Sequence, residues 1–145
     1  MTSEAAIATR RTDDSTGSES GPLEILIVED DPIFRHTLRL MLTRGAAYRI
    51  AEAQHAEEAI DMIERHRPDL VLSDIFMPVA DGFELLNWMR GHAADVPVLV
   101  VSGATDPVDQ FDPLLIAQHL GAAGVLTKPF ERRDLLAAVD RALHA

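Results

Sequence analysis

Five short aliphatic runs constrain this chain more than anything else in it, because helical periodicity separates each run from the next. The runs are Leu23–Val28 (LEILIV), Tyr48–Ala53, Asp69–Asp74 (DLVLSD), Val96–Ser102 (VPVLVVS) and Gly124–Thr127. Most are continuously apolar rather than alternating, which is the pattern of strands covered on both faces. Between them the apolar spacing turns helical. Asp31-Pro32 supplies an N-cap and a Pro at the first helical position, opening a helix to about Arg44. Ile33, Leu38, Met41 and Leu42 are read as its inner face, and Gly45 as its stop. Ala56–Arg65 is a second helix with Ala59, Ile60 and Ile63 inward, ending before Pro68. Phe83–Arg90, Phe111–Leu120 (closed by Gly121) and Glu131–His144 complete the series. Strand and helix alternate five times, which predicts an α/β fold with a parallel sheet wrapped by helices on both faces. In such sheets ligands bind at the carboxyl ends of the strands.

Composition narrows the partners. The chain has 145 residues, enough for one ordinary domain, and is 47% hydrophobic, enough for a full core. Residues 1–22 hold one bulky aliphatic, Ile7, among Ser, Thr, Asp and Glu, so they are expected to be a disordered N-terminal tail before a domain over 23–145. The net charge is −11; the tail carries two Arg against four acids, which leaves −9 on the rest. That balance argues against nucleic acid and anionic membrane as partners, since both repel it. Cysteine is absent, which excludes disulfides and thiolate metal sites. There is no signal-peptide pattern and no apolar run of about 18 residues, so a cytoplasmic setting is expected.

The strand ends carry the chemistry. The first run ends in Glu29, Asp30 and Asp31, the third in Asp74, the fourth in Ser102 and the fifth in Lys128. Carboxylates crowded at one sheet edge repel one another, so the group calls for a cation. Oxygen ligands without His or Cys suit Mg²⁺. Lys128 and the Ser102 hydroxyl add charge and a donor around a space for a phosphoryl group. An aspartate is also a competent phosphoryl-accepting nucleophile. Each residue alone has a plainer reading. Asp31 reads best as a helix cap; taken singly, Asp74 is read equally well as a solvated strand-end acid, Lys128 reads as an ordinary surface lysine, and Ser102 has a turn residue as its plainer alternative. Only their joint placement at four strand ends favours a site. The six histidines read as surface or helix-end residues, and Phe83 and Trp88 as packing. Arg132 and Arg133 read as a solvated face.

Four segments together resemble the receiver domain of two-component response regulators. Ile25–Pro32 (ILIVEDDP) is similar to the acidic-pair motif. Leu70–Gly82 (LVLSDIFMPVADG) is similar to the phospho-acceptor motif. Val98–Ala104 (VLVVSGA) and Leu126–Phe130 (LTKPF) are similar to the hydroxyl and lysine motifs. The resemblance covers Leu23 to about Leu143. It implies a flavodoxin-like, doubly wound, five-stranded parallel sheet in the order 2-1-3-4-5. It further implies that Asp74 accepts a phosphoryl group from a sensor histidine kinase or a histidine phosphotransfer protein. Glu29, Asp30, Asp74 and the backbone carbonyl of Phe76 would hold Mg²⁺, and Ser102 and Lys128 would contact phosphoryl oxygens. Such a chain is no enzyme beyond its own Mg²⁺-dependent phosphorylation and slow autodephosphorylation. Its expected output is a changed affinity for a protein target, with a phosphorylation-linked homodimer as one form. With nothing after the last helix, a stand-alone, single-domain regulator is expected.

The sequence also departs from the family pattern. The position three before Lys128, often aromatic in the family, is Val125, which rules out an aromatic flip as the switch. The stretch from Ser102 to Gly121 is longer than usual, with Pro107 and Pro113 in it. Phe76 and Ala104, two positions past Asp74 and Ser102, offer no side chain to hold an attacking water. Two other functions compete. A phosphorylation-independent receiver-fold module would fit Val125. A phosphatase of the haloacid-dehalogenase type would need a second acid where Phe76 stands.

Overall fold

The computed structural model describes residues 21–44, 48–74, 82–103, 118–119 and 121–144. Five strands lie in these segments: β1 (Glu24–Val28), β2 (Arg49–Ala53), β3 (Leu70–Asp74), β4 (Val98–Gly103) and β5 (Gly124–Lys128). Four helices accompany them: α1 (Pro32–Thr43), α2 (Ala56–Arg65), α3 (Gly82–His92) and α4 (Arg132–Leu143). The strands form one sheet in the order β2-β1-β3-β4-β5, and every pairing is parallel. The expected 2-1-3-4-5 flavodoxin-like sheet is therefore present. All but the last two residues of the expected tail over 1–22, the stop at Gly45 and most of the expected helix over 111–120 lie outside the described residues. Gly121 itself has φ 95°, a left-handed conformation that glycine adopts without a Cβ penalty.

The burial pattern explains the continuous aliphatic runs. The central strands β1, β3 and β4 are buried along nearly their whole length, while the edge strands β2 and β5 are half-exposed. Alternate residues of the sheet feed two cores. Leu26, Val28, Val71 and Val100 pack against α2 and α3 through Ala59, Ile63, Leu86 and Met89. Ile27, Leu72, Leu99 and Val101 pack against α1 and α4 through Leu38, Leu42, Leu135 and Val139. No described helix is long and apolar enough to cross a membrane.

The caps follow the local sequence. The Asp31 side chain accepts from the Ile33 amide, as expected of an N-cap, and His55 does the same for α2 through Glu58. Two readings need correction. Ile33 is not on the inner face of α1 but is 78% exposed. It lies five residues before Leu38, more than a full turn, whereas Phe34 lies four before it and takes the inward position. Arg132 is no solvated residue either. Its Nε donates to the Met41 carbonyl at 2.9 Å and its guanidinium also bonds the Arg44 carbonyl. It thereby satisfies carbonyls left open at the C-terminal end of α1. Arg133, by contrast, is exposed and pairs with the likewise exposed Glu131.

The edge strand β2 is tied to α1 by charge. Arg35 Nε donates to Glu52 Oε1 at 2.9 Å, and Arg39 bonds the other carboxylate oxygen. Burial pushes the Glu52 carboxyl up, but the bonds and charges of Arg39 and Arg35 outweigh it and hold the group below 4.5. A carboxyl depressed in the folded state stabilises above its unfolded pKa and loses that contribution as pH falls through the folded one. Glu52→Gln is therefore expected to cost about 1 kcal/mol at pH 7, a part-exposed pair being screened by solvent. The difference from wild type should shrink as the pH drops through and below 4.5. Urea melts at pH 7 and at pH 3 check this; an undiminished difference at pH 3 would show that lost packing, not charge, is responsible.

Candidate functional site

The chain leaves β1 for β2 on one side and returns to β3 on the other. The carboxyl ends of β1 and β3 thus flank the point where the strand order reverses, where a crevice is expected. Glu29 and Asp30 follow β1 directly, and Asp74 is the last residue of β3. One carboxylate oxygen from each of the three lies within 4.8 Å of the others. Glu29 and Asp74 are buried, at 2% and 8% exposure, and Asp30 is half-buried. The three acids singled out from the sequence therefore meet in space.

The backbone fixes Glu29. Its amide donates to the Ala53 carbonyl, and its carbonyl accepts from Arg35 Nη1 at 2.8 Å. One carboxylate oxygen, Oε2, accepts the Asp31 amide at 3.1 Å. The other, Oε1, is buried with no hydrogen-bond partner among the described residues. Burial, followed by the charge of Asp74, pushes Glu29 up to about 8. Two anionic carboxylates in so small a volume are not tolerated without compensation.

The compensation on hand is Lys128, the last residue of β5. Its Nζ lies 3.6 Å from Asp74 Oδ2. The same ammonium lies 4.3 Å from the centroid of the Phe34 ring. Ser102, near the end of β4, is buried at 6%. The registers pair Asp74 with Val101 and Ser102 with Thr127, so all four strand ends finish at one edge of the sheet. Phe76 and Ala104 lie outside the described residues, and with them the expected Phe76 carbonyl ligand. Val125 occupies its position as a half-buried core residue. Reading the sequence alone missed Phe34 and Arg35. The signal for Phe34 was its place one helical turn before Leu38 and just after the acids.

A hard cation fits this donor set. The candidate ligands among the described residues are carboxylates, one oxygen of Glu29 is buried with no hydrogen-bond partner among those residues, and the group carries more negative charge than Lys128 offsets. Those are the properties of a Mg²⁺ site that keeps positions open for water and phosphate oxygens.

An acidic cluster, a buried hydroxyl and a lysine thus stand at the switch point of a 2-1-3-4-5 sheet, the arrangement expected of a receiver domain. The match to known proteins agrees. Residues 25–140 match the model of the response regulator receiver domain, and the chain belongs to that family. Receiver domains are phosphorylated on an aspartate and are not conventional enzymes. Among relatives, the chain is 40% identical over 116 residues to the response regulator MprA of Mycobacterium sp. (strain KMS). It is 40% identical over 115 residues to MprA of Mycobacterium tuberculosis (strain ATCC 25618 / H37Rv). These matches cover 80% and 79% of the chain but 48% of each relative, so the chain spans about half their length. Among solved structures, a response regulator of Chloroflexus aurantiacus J-10-fl superposes with a TM-score of 0.77 at 32% identity, covering 86% of this chain and 99% of that one. The receiver domain of NtrX from Brucella abortus gives 0.76 at 27%, covering 83% and 98%.

Proposed function

We propose that this chain is a Mg²⁺-dependent switch that takes a phosphoryl group on Asp74 from a cytoplasmic phosphohistidine protein and then changes its affinity for a protein target. The observation that carries the reading is the meeting of the Glu29, Asp30 and Asp74 carboxylates within 4.8 Å of one another, with Lys128 Nζ 3.6 Å from Asp74.

In this reading an Asp74 carboxylate oxygen attacks the phosphorus. The new bond is an acyl phosphate, and the bond to the donor's leaving group breaks with its electron pair on that group. Lys128 pairs with a phosphoryl oxygen and offsets the charge that gathers there, and the Ser102 hydroxyl donates to another. Glu29 and Asp30, with Asp74, would hold Mg²⁺. When bound, that ion polarises the phosphoryl oxygens as a Lewis acid and offsets the carboxylate charge. The −9 charge outside the tail disfavours polyanions at this domain's own surface and favours a protein target.

The test is incubation of the wild type with acetyl phosphate, with and without Mg²⁺, read by intact mass and peptide mapping. One added phosphoryl group is expected, on the Asp74 peptide, and only with Mg²⁺ present. No gain at saturating donor would sink the reading in favour of a phosphorylation-independent binding module, to which Val125 at the usual aromatic position is suited.

A further inference from the structure

We propose that Phe34 is a positioning residue for phosphoryl transfer: its ring face holds the Lys128 ammonium in line with Asp74. The inference rests on reading Asp74 and Lys128 as the phosphoryl site. Lys128 is a point charge on a flexible stem with several rotors, and its place at the end of β5 does not by itself aim the ammonium. Its ion pair with Asp74 is 3.6 Å long, a charge contact too loose to fix a direction. The Phe34 ring is the second contact. The ammonium lies 4.3 Å from its centroid, well within the about 6 Å over which a ring face attracts a cation. The ring is itself held. Phe130 meets it edge-on, with centroids 6.2 Å apart and planes at 66°, a favourable aromatic geometry. Phe130 is two residues beyond Lys128, so the end of β5 and the residues after it contact Phe34 twice.

This contact differs in kind from the one to Asp74. Phosphorylation replaces the Asp74 carboxylate by an acyl phosphate and redistributes the charge Lys128 faces. The ring is unchanged by the reaction. It can hold the ammonium before, during and after transfer, so that less reorientation is needed as charge develops. Phe34 also stands in the first turn of α1, three residues after Asp31, so one short segment carries both the acids and the support for the lysine.

The experiment compares rates of phosphoryl gain from acetyl phosphate at saturating Mg²⁺ in the full chain, with melting curves alongside. Phe34→Leu keeps an apolar side chain and removes the ring. Trifluorophenylalanine at position 34 keeps the ring shape and strips its negative face, and so answers the question if the Leu variant does not fold. Each is expected to slow the reaction about 3- to 30-fold, while Phe34→Tyr stays within about 2-fold of wild type. In a Lys128→Met background the same changes at Phe34 should alter the rate by less than about 2-fold, because the group they act through is gone. A structural role would instead slow both backgrounds equally. A wild-type rate in both ring variants, or equal slowing with and without Lys128, overturns the inference alone. A wild type that gains no phosphoryl group overturns the reading of the site, and this inference with it.

Discussion

An Asp74→Asn chain is expected to gain no phosphoryl group from acetyl phosphate at any Mg²⁺ concentration and yet, in metal-free buffer, to melt above the wild type. The first effect is all-or-none. The amide lacks the anionic oxygen that forms the acyl phosphate, and the neighbouring Glu29 is buried and elevated in pKa rather than poised to attack. The second follows from charge. Glu29, Asp30 and Asp74 oxygens lie within 4.8 Å of one another, and Glu29 and Asp74 are almost out of water. Removing one negative charge relieves repulsion that Lys128 at 3.6 Å only partly offsets. A net gain of about 1 kcal/mol, or about 4 °C for a domain of this size, is expected. Mg²⁺ should reverse the order. At 100 times its Kd it would stabilise the wild type by about 2.7 kcal/mol, and the Asn chain, one carboxylate short, by less. Calorimetry with and without Mg²⁺ separates the cases. A metal-free Asn chain that melts lower would show that the lost partner of Lys128 outweighs the relieved repulsion. Phosphoryl uptake by that chain would move the acceptor elsewhere.

Leu72→Ala should produce the largest loss of stability, about 3 kcal/mol, with a fall in Tm of about 12 °C. Leu72 is 1% exposed on β3, a central strand, and its register partners on either side are Ile27 and Leu99, both buried. All three face the core closed by α1 and α4, where Leu135 and Val139 pack against them. Truncation leaves a cavity with rigid sheet on one side and packed helix on the other, so little collapse can fill it. Leu72→Met, close in volume, should cost under about 1.5 kcal/mol. Equal costs for the two variants in chemical denaturation would argue that the position tolerates voids and that this core is loosely packed.

Much of this was legible in the chain because the governing interactions are local or periodic. The strand and helix bounds agree within one or two residues at most ends, since Asp31-Pro32 before α1 and Pro68 after α2 mark boundaries by short-range chemistry. The short apolar runs at Leu23–Val28 and Leu70–Leu72, set between helical stretches, read as strands covered on both faces, and they are. Polar residues at four strand ends could only collect at one sheet edge once the sheet was parallel. The grouping of Glu29, Asp30 and Asp74 followed from that, without any distance being known.

What the sequence could not reveal depends on which parts of the chain touch across the fold. Ile33 and Phe34 are adjacent and both apolar, and only packing against the α1/α4 core decides that Phe34 turns in and Ile33 stays out. Arg132 bonds a carbonyl 91 residues away, at the end of α1, where nothing in its own neighbourhood signals a partner. The aim of the Lys128 ammonium, between Asp74 and the Phe34 ring, is likewise set by three elements brought together only when the sheet is covered. The sequence by itself determined the alternation of elements, the parallel sheet and the meeting of Glu29, Asp30 and Asp74 at its edge, because these follow from spacing along one chain. The tertiary structure alone decided which side chains hold that site in register, because those contacts join residues that no local pattern relates.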